Sequence, residues 1–278
     1  MKVMLRFGPA GMPIKLKGKS LVDGLKYCIN NSLYAFEIEW VRGVKVKKGI
    51  EEDIKKIVKS NDVLLSAHAP YWINPCSDEK RIKDITFRNL KECAIAASKL
   101  NVEKVVFHPG YYGKDKEKAR KNAIEFFKEF FEWEKENGLN IIFAPETTGK
   151  ISQYGNIDEV IELCKKFKLM VPCIDFAHIH ARGNGCIKTK DDYEKIINKI
   201  KDELGKKYLE NLHIHFSGIK YNKNGEIEHL PIKSKSPDFD MLAKLIVEKN
   251  YAFTIISESP LLDIDAIEML NIIKKIKK

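Results

Sequence analysis

The sequence predicts an α/β fold of (β/α)8 TIM-barrel type, built as a single domain over residues 1–278. Eight short, apolar, β-branched runs alternate with eight longer stretches of helical periodicity. The length is that of one large α/β barrel, and no composition shift, low-complexity tract or short repeat divides the chain. A doubly wound open sheet would carry a Gly-rich phosphate turn after an early strand. Phe7-Gly8-Pro9-Ala10-Gly11 reads as a turn but lacks that motif's glycine spacing.

The units follow in order. A strand at 3–7 leads to a helix at 20–32, where Ser20 stands three residues ahead of Asp23 as a capping pair. Strands at 35–39 and 63–67 lead to helices at 50–60 and 79–99. The fourth strand, 104–108, precedes a helix at 115–137 in which Phe126, Phe127, Phe130, Phe131 and Trp133 form a broad packing face. Strands at 140–144 and 171–175 lead to helices at 157–167 and 190–204, opened by Asn156 with Glu159 and by Thr189 with Asp192. The seventh strand, 211–216, precedes a helix at 238–249, for which Ser236-Pro237 reads as a cap and first-turn proline. The last pair is 253–257 and 264–277, whose lysine-rich end complements the helix dipole.

Composition narrows the class. With 44% hydrophobic and 32% charged residues the chain can bury a sizeable core, which excludes disordered and collagen-like proteins. No run approaches the ~18 apolar residues of a membrane span. Arg6 interrupts the short apolar start before it could serve as a signal-peptide core, so a cytoplasmic protein with no membrane partner is expected. Cys28, Cys76, Cys93, Cys164, Cys173 and Cys186 are scattered and read as free, packing thiols without partners at metal spacing. The net charge of +10 comes almost wholly from lysine. It fits both a Lys/Glu-rich thermostable surface and a polyanionic partner.

The titratable residues carry the sharper signal. His68 ends the third strand and His108 the fourth; Glu146 lies just past the fifth; Asp175 ends the sixth, with His178 three residues on; His215 and Glu258 end the seventh and eighth. In a barrel these ends form a ring on the C-terminal face, where active sites are built. A lone strand-end histidine is ordinarily hydrogen-bonded or solvated. Seven imidazoles and carboxylates on one rim are different, because these are the ligands of zinc and would otherwise be a costly polar cluster. The number implies more than one ion. His213 lies one layer deeper and reads as a buried core residue. His180 is left open between a supporting and an exposed role, and His229, in the long loop after the seventh strand, between ligand and bystander.

The segments around these residues are specific: His68-Ala69-Pro70-Tyr71-Trp72-Ile73-Asn74, Phe107-His108-Pro109-Gly110, Glu146-Thr147-Thr148-Gly149, Cys173-Ile174-Asp175-Phe176-Ala177-His178, His215-Phe216-Ser217 and Glu258-Ser259-Pro260. Over essentially the whole chain they resemble the endonuclease IV family, the zinc-dependent apurinic/apyrimidinic DNA endonucleases among the xylose-isomerase-like barrels. The family's corresponding motifs are His-x-x-Tyr-x-Ile-Asn, Phe-His-Pro-Gly, Glu-Asn-Thr-Ala-Gly, Cys-x-Asp-x-x-His, His-x-Asn-Asp and Glu-Thr-Pro. The resemblance implies hydrolysis of the phosphodiester 5′ to an abasic site, leaving a 3′-hydroxyl and a 5′-deoxyribose phosphate. It implies two or three Zn2+ ions, with Mn2+ able to use the same ligands. By this pattern His68, His108, Glu146, Asp175, His178, His215, His229 and Glu258 ligate metal, and Glu146 also orients the attacking water.

The expected partner is double-stranded DNA with abasic lesions, bound by a monomer. Tyr71 and Trp72 would wedge the base stack, which is cheapest where a base is already missing. Arg42, Lys45, Lys47 and Lys48, with Lys220, Lys223, Lys233 and Lys235, would meet phosphates. Two departures stand out. The family's Asp-x-His after strand seven is here Ile227-Glu228-His229, which leaves the third ion's carboxylate to Glu226 or Glu228; and Ser217-Gly218 replaces Asn-Asp. Phe36-Glu37-Ile38-Glu39-Trp40 adds two carboxylates outside the family pattern. The alternative function is a sugar isomerase or epimerase holding one divalent ion on Glu146, Asp175, His215 and Glu258.

Overall fold

The computed structural model describes residues 4–47 and 49–278; Val3 of the first expected strand and Lys48 of the expected phosphate contacts lie outside them. Within the described residues the chain forms β1 (Arg6–Pro9), α1 (Leu21–Asn30), β2 (Ala35–Glu39), α2 (Glu51–Asn61), β3 (Leu64–His68), α3 (Lys80–Leu100), β4 (Lys104–Phe107) and α4 (Lys116–Glu136). It continues as β5 (Ile142–Pro145), α5 (Ile157–Lys166), β6 (Cys173–Asp175), α6 (Phe176–Arg182), α7 (Lys190–Leu204) and β7 (His213–Phe216). Then come a hairpin of β8 (Gly218–Asn222) and β9 (Gly225–Leu230), α8 (Phe239–Lys249), β10 (Thr254–Ser257) and α9 (Leu262–Ile276).

Eight of these strands make the barrel. β2-β3-β4-β5 and β1-β10-β7-β6 are parallel ladders, and bridges at Ala10–Glu37 and Glu146–Cys173 join them into a ring. The Gly11 amide donates to the Glu37 carbonyl at 2.8 Å across one seam, and the Thr147 amide to the Cys173 carbonyl at 3.1 Å across the other. The segment expected to turn at 7–11 is instead largely strand β1. Gly8 explains the difference: a Cβ there would stand 1.9 Å from the Ala35 carbonyl oxygen, so only glycine lets β1 close on β2.

Local signals behave as expected at three helix starts, where Ser20/Asp23, Asn156/Glu159 and Thr189/Asp192 all form reciprocal capping boxes. At α8 the cap is Asp238, which accepts from the Asp240 amide; Ser236 instead meets His180. The aromatic face of α4 packs on the sheet, with Phe127 5.3 Å from Phe107 and Phe130 5.1 Å from Phe143 between ring centres. Two elements were not expected, α6 and the β8–β9 hairpin. Both rise from the C-terminal face of the barrel, after β6 and β7, and both carry site residues. Among the described residues no helix is long and apolar enough to cross a membrane.

Candidate metal centre

The side chains at the C-terminal strand ends converge into three overlapping donor groups. In the first, donor atoms of His68, His108 and Glu146 all lie within 4.8 Å of one another. The Glu146 Oε2 atom is 3.2 Å from His68 Nε2 and 3.3 Å from His108 Nε2. His68 donates Nδ1–H to the Ala69 carbonyl at 2.7 Å, which orients the ring so that Nε2 points at Glu146 and is the nitrogen a cation could take. Glu146, Asp175, His215 and Glu258 form the second group, again within 4.8 Å. The cap of α6 shapes it: Asp175 Oδ1 accepts from the His178 amide at 2.6 Å, so Oδ2 alone faces the site.

His178, His229 and Glu258 form the third group. The Nε2 atoms of His178 and His229 face each other at 3.2 Å. Their Nδ1 atoms are engaged elsewhere, with the Thr147 carbonyl at 3.0 Å and the Ser217 hydroxyl at 2.7 Å respectively. Two imidazole nitrogens so close need a proton or a cation between them. The Glu226 carboxylate completes the group, 3.5 Å from His178 Nε2 and 3.8 Å from His229 Nε2.

Glu226 reaches this position through a β-bulge. On the hairpin Ile219 opposes His229 and Lys220 opposes Glu228, but Tyr221 opposes Glu226, so Ile227 is an extra residue in β9. In an unbroken strand Ile227, two residues before His229, would share its face. The bulge shifts the phase, turning Glu226 inward and leaving Ile227 47% exposed. Glu228 faces outward and pairs with Lys220 at 3.0 Å. The choice the sequence left between Glu226 and Glu228 falls to Glu226. Gly149 makes the room, since a Cβ there would stand 2.7 Å from Glu226 Cβ and 2.8 Å from His178 Cδ2. Arg182, near the end of α6, holds the same loop through the Lys150 carbonyl at 2.7 Å and the Gln153 carbonyl at 3.0 Å.

The donor set fits divalent cations. Glu146 Oε1, Asp175 Oδ2 and His215 Nδ1 are buried, converge, and have no hydrogen-bond partner among the described residues. Burial without a partner is costly for such groups, and a cation resolves all three at once. Burial works against an ionised Glu146, but His108 and His215 outweigh it and hold the acid well below its usual range. Glu258 falls to about 2 against the same burial penalty, chiefly through His215.

The remaining expected residues divide. Tyr71 and Trp72 are 52% and 47% exposed on the rim rather than packed beneath it, and the Tyr71 ring lies 5.6 Å from that of His68. Arg42, Lys45 and Lys47 line the loop after β2, and Lys223 and Lys233 the segment after β7; all five are at least partly open to solvent. Lys220 pairs with Glu228 at 3.0 Å and Lys235 with Asp240 at 2.8 Å, both lysine side chains staying more than half exposed. His180 is buried against Ser236 and the Ile187 amide, away from the donor groups. His213 is buried one layer below His215, as its spacing indicated. Cys173 has donor neighbours after all, lying within 4.8 Å of His213 and His215; burial raises its thiol pKa and keeps it protonated. Glu37 and Glu39, noted only as extra carboxylates, both sit under or beside the rim. Their two-residue spacing on a barrel strand was the available signal, since it points both side chains to the interior. Burial pushes Glu39 up to about 8.

Comparison with known proteins places the fold in a family. Residues 31–275 match the model of the xylose isomerase-like TIM barrel family. The chain belongs to that family. It is 35% identical over 272 residues to an uncharacterized protein of Methanocaldococcus jannaschii, covering 97% of each chain. It is 30% identical over 227 residues to a probable endonuclease 4 of Mycoplasmopsis pulmonis, covering 71% of this chain and 80% of the relative. Among solved structures, endonuclease IV from Thermus thermophilus superposes with a TM-score of 0.74 at 15% identity, covering 98% and 97%. A D-tagatose 3-epimerase-like protein superposes with a TM-score of 0.69 at 21% identity, covering 93% of each. At these identities the two superpositions establish the shared barrel.

Proposed function

We propose that this family member is a metal-dependent DNA repair endonuclease that hydrolyses the phosphodiester 5′ to an apurinic/apyrimidinic site, leaving a 3′-hydroxyl and a 5′-deoxyribose phosphate. The observation that carries the reading is the extent of the donor set. An epimerase with a single ion needs the group of Glu146, Asp175, His215 and Glu258; here His68 with His108, and His178 with His229 and Glu226, extend the rim on both sides. Two or three ions are therefore the expected complement, Zn2+ by ligand chemistry, with Mn2+ sharing the same donors.

Bound divalent ions supply Lewis acidity, lowering the pKa of a water and neutralising charge on a phosphate. The chain's own residues do the rest. Glu146 spans the first two groups, one oxygen toward His68 and His108, the other toward His178 and His215. That placement suits it to orient a water in line with the scissile bond. Glu258 lies in both the second and third groups. Tyr71 stands beside His68 and His108, and with Trp72 presents the exposed aromatic pair that would hold a base stack open at a lesion. Arg42, Lys45 and Lys47 would meet the backbone phosphates. The working form is read as a cytoplasmic monomer on double-stranded DNA.

The test uses purified protein, a duplex with one abasic site, an intact duplex and a ketose, with ions counted by elemental analysis. Two or three ions per chain and cleavage 5′ to the lesion are expected. About one ion per chain with sugar epimerisation and no cleavage would replace this reading by the epimerase.

A further inference from the structure

Beneath the rim, Glu37, Ser66 and His213, which the proposed reaction does not use, form a buried polar cluster with the ligand candidate His215. Glu37 Oε2 accepts from the Ser66 hydroxyl at 2.7 Å and lies 2.9 Å from His213 Nε2; its Oε1 lies 2.9 Å from His215 Nε2. All four residues are at most 1% exposed. They come from adjacent or facing strands, β2, β3 and β7, so the barrel itself fixes the geometry.

We infer that Glu37 is a positioning residue, which locks His215 so that Nδ1 is the nitrogen offered to a metal in the group of Glu146, Asp175 and Glu258. The inference rests on the metal-centre reading above. When a cation takes the rim side of the ring, its one proton lies on Nε2, 2.9 Å from Glu37 Oε1, and neither of those two atoms has another hydrogen-bond partner among the described residues, which leaves the cation Nδ1. That atom lies 3.2 Å from Glu258 Oε1 and 3.5 Å from Glu146 Oε1, at the rim. Three of the other assigned histidines lean on neutral partners: His68 and His178 on backbone carbonyls, His229 on a serine hydroxyl. His215 differs in having behind it a carboxylate, Glu37, that is not itself one of the assigned ligands, which also strengthens its donor nitrogen. Ser66 and His213 hold Glu37 from its other oxygen, so it cannot swing up to become a ligand itself.

Glu37→Gln keeps the shape and removes the charge. One ion per chain should then bind about 10–100-fold more weakly in competition with a chromogenic chelator, while the others titrate as in the wild type. The absorption bands of the Co2+-loaded protein should shift, and thermal unfolding of the metal-free protein should change little. In a His215→Ala background Glu37→Gln should have no further effect on ion binding, because Glu37 acts through that ring. Unchanged ion affinity, or an equal loss in both backgrounds, overturns the assignment. Should Glu37→Gln not fold, Ser66→Ala serves instead, releasing one anchor of the carboxylate. A several-fold weakening of the same ion supports the role, and no weakening overturns it. A wild-type protein that binds no divalent ion would sink the metal centre itself, a result distinct from ions that bind regardless of Glu37.

Discussion

Gly149→Ala is the most direct probe of the third donor group, because it adds one methyl at the point where the loop after β5 meets β9. That methyl would stand 2.7 Å from Glu226 Cβ, and 2.8 Å from both Glu226 Oε2 and His178 Cδ2. Carbon contacts settle at about 3.5–4.0 Å, so β9 or the loop must retreat by about 1 Å. Overpacking of this kind costs about 1–3 kcal/mol of stability. The sharper effect is on the site. A retreat of that size takes the Glu226 carboxylate out of ligand reach of an ion held by His178 and His229. Disturbing a supporting position typically weakens metal binding about 10–100-fold, or about 1.4–2.8 kcal/mol. Graded chelation followed by elemental analysis reads the effect: one ion should leave at lower chelator concentration than in the wild type, the rest unchanged. Glu228→Gln is the control, since that residue faces outward and should alter nothing. Retention of every ion in Gly149→Ala, or equal loss of all of them, would refute the bulge-delivered ligand.

Three further outcomes are expected. Glu146→Gln should leave the fold intact and nearly abolish cleavage of an abasic duplex, since the two donor groups that share it lose its charge; wild-type turnover with full metal content would contradict its bridging role. Trp72→Ala should weaken binding to an abasic duplex more than to an intact one in a titration of both, and equal losses would mean that the ring does not act at the lesion. Away from the site, Arg120 holds the Glu162 carboxyl below its ordinary value of 4.5 through bonds of 2.6 and 2.5 Å. With the folded pKa depressed, that stabilisation is present above about pH 4.5 and fades as pH falls through the folded value. Arg120→Met should therefore cost up to about 1 kcal/mol at neutral pH and nothing in strong acid, as read by urea unfolding at several pH values.

The barrel was legible because its signals are local and repeated: capping pairs and strand runs each depend on a few neighbouring residues. The convergence of the candidate ligands was legible because parallel barrel strands bring successive strand ends to one face, so sequence order alone places His68, His108, Asp175, His215 and Glu258 together. What was not legible depends on contacts between distant segments. A turn was expected at Gly8 because glycine usually signals one, whereas here it permits the close approach of Ala35. Glu226 could not be chosen over Glu228, because a bulge reverses every side chain beyond it and is set by pairing with β8. Helix α6 was hidden by its brevity, and its start is fixed by Asp175, whose three-residue spacing to His178 fits a ligand pair as well as a helix cap.

Charge ties the number of ions to the class of substrate. Glu146, Asp175, Glu226 and Glu258 place four carboxylates on the rim. One divalent ion among them leaves an excess of two negative charges, a surface that repels a phosphodiester and suits a neutral polyol whose hydroxyls can approach the ion. Three divalent ions reverse the balance to an excess of two positive charges, in a site whose walls exclude much of the water that would screen it. A phosphodiester carries one negative charge and is then drawn in. The carboxylate supplied by the bulge therefore does more than replace a missing ligand. By helping to retain a third ion it would move the rim from neutral, with two ions, to an excess of two positive charges, the sign that suits a phosphodiester.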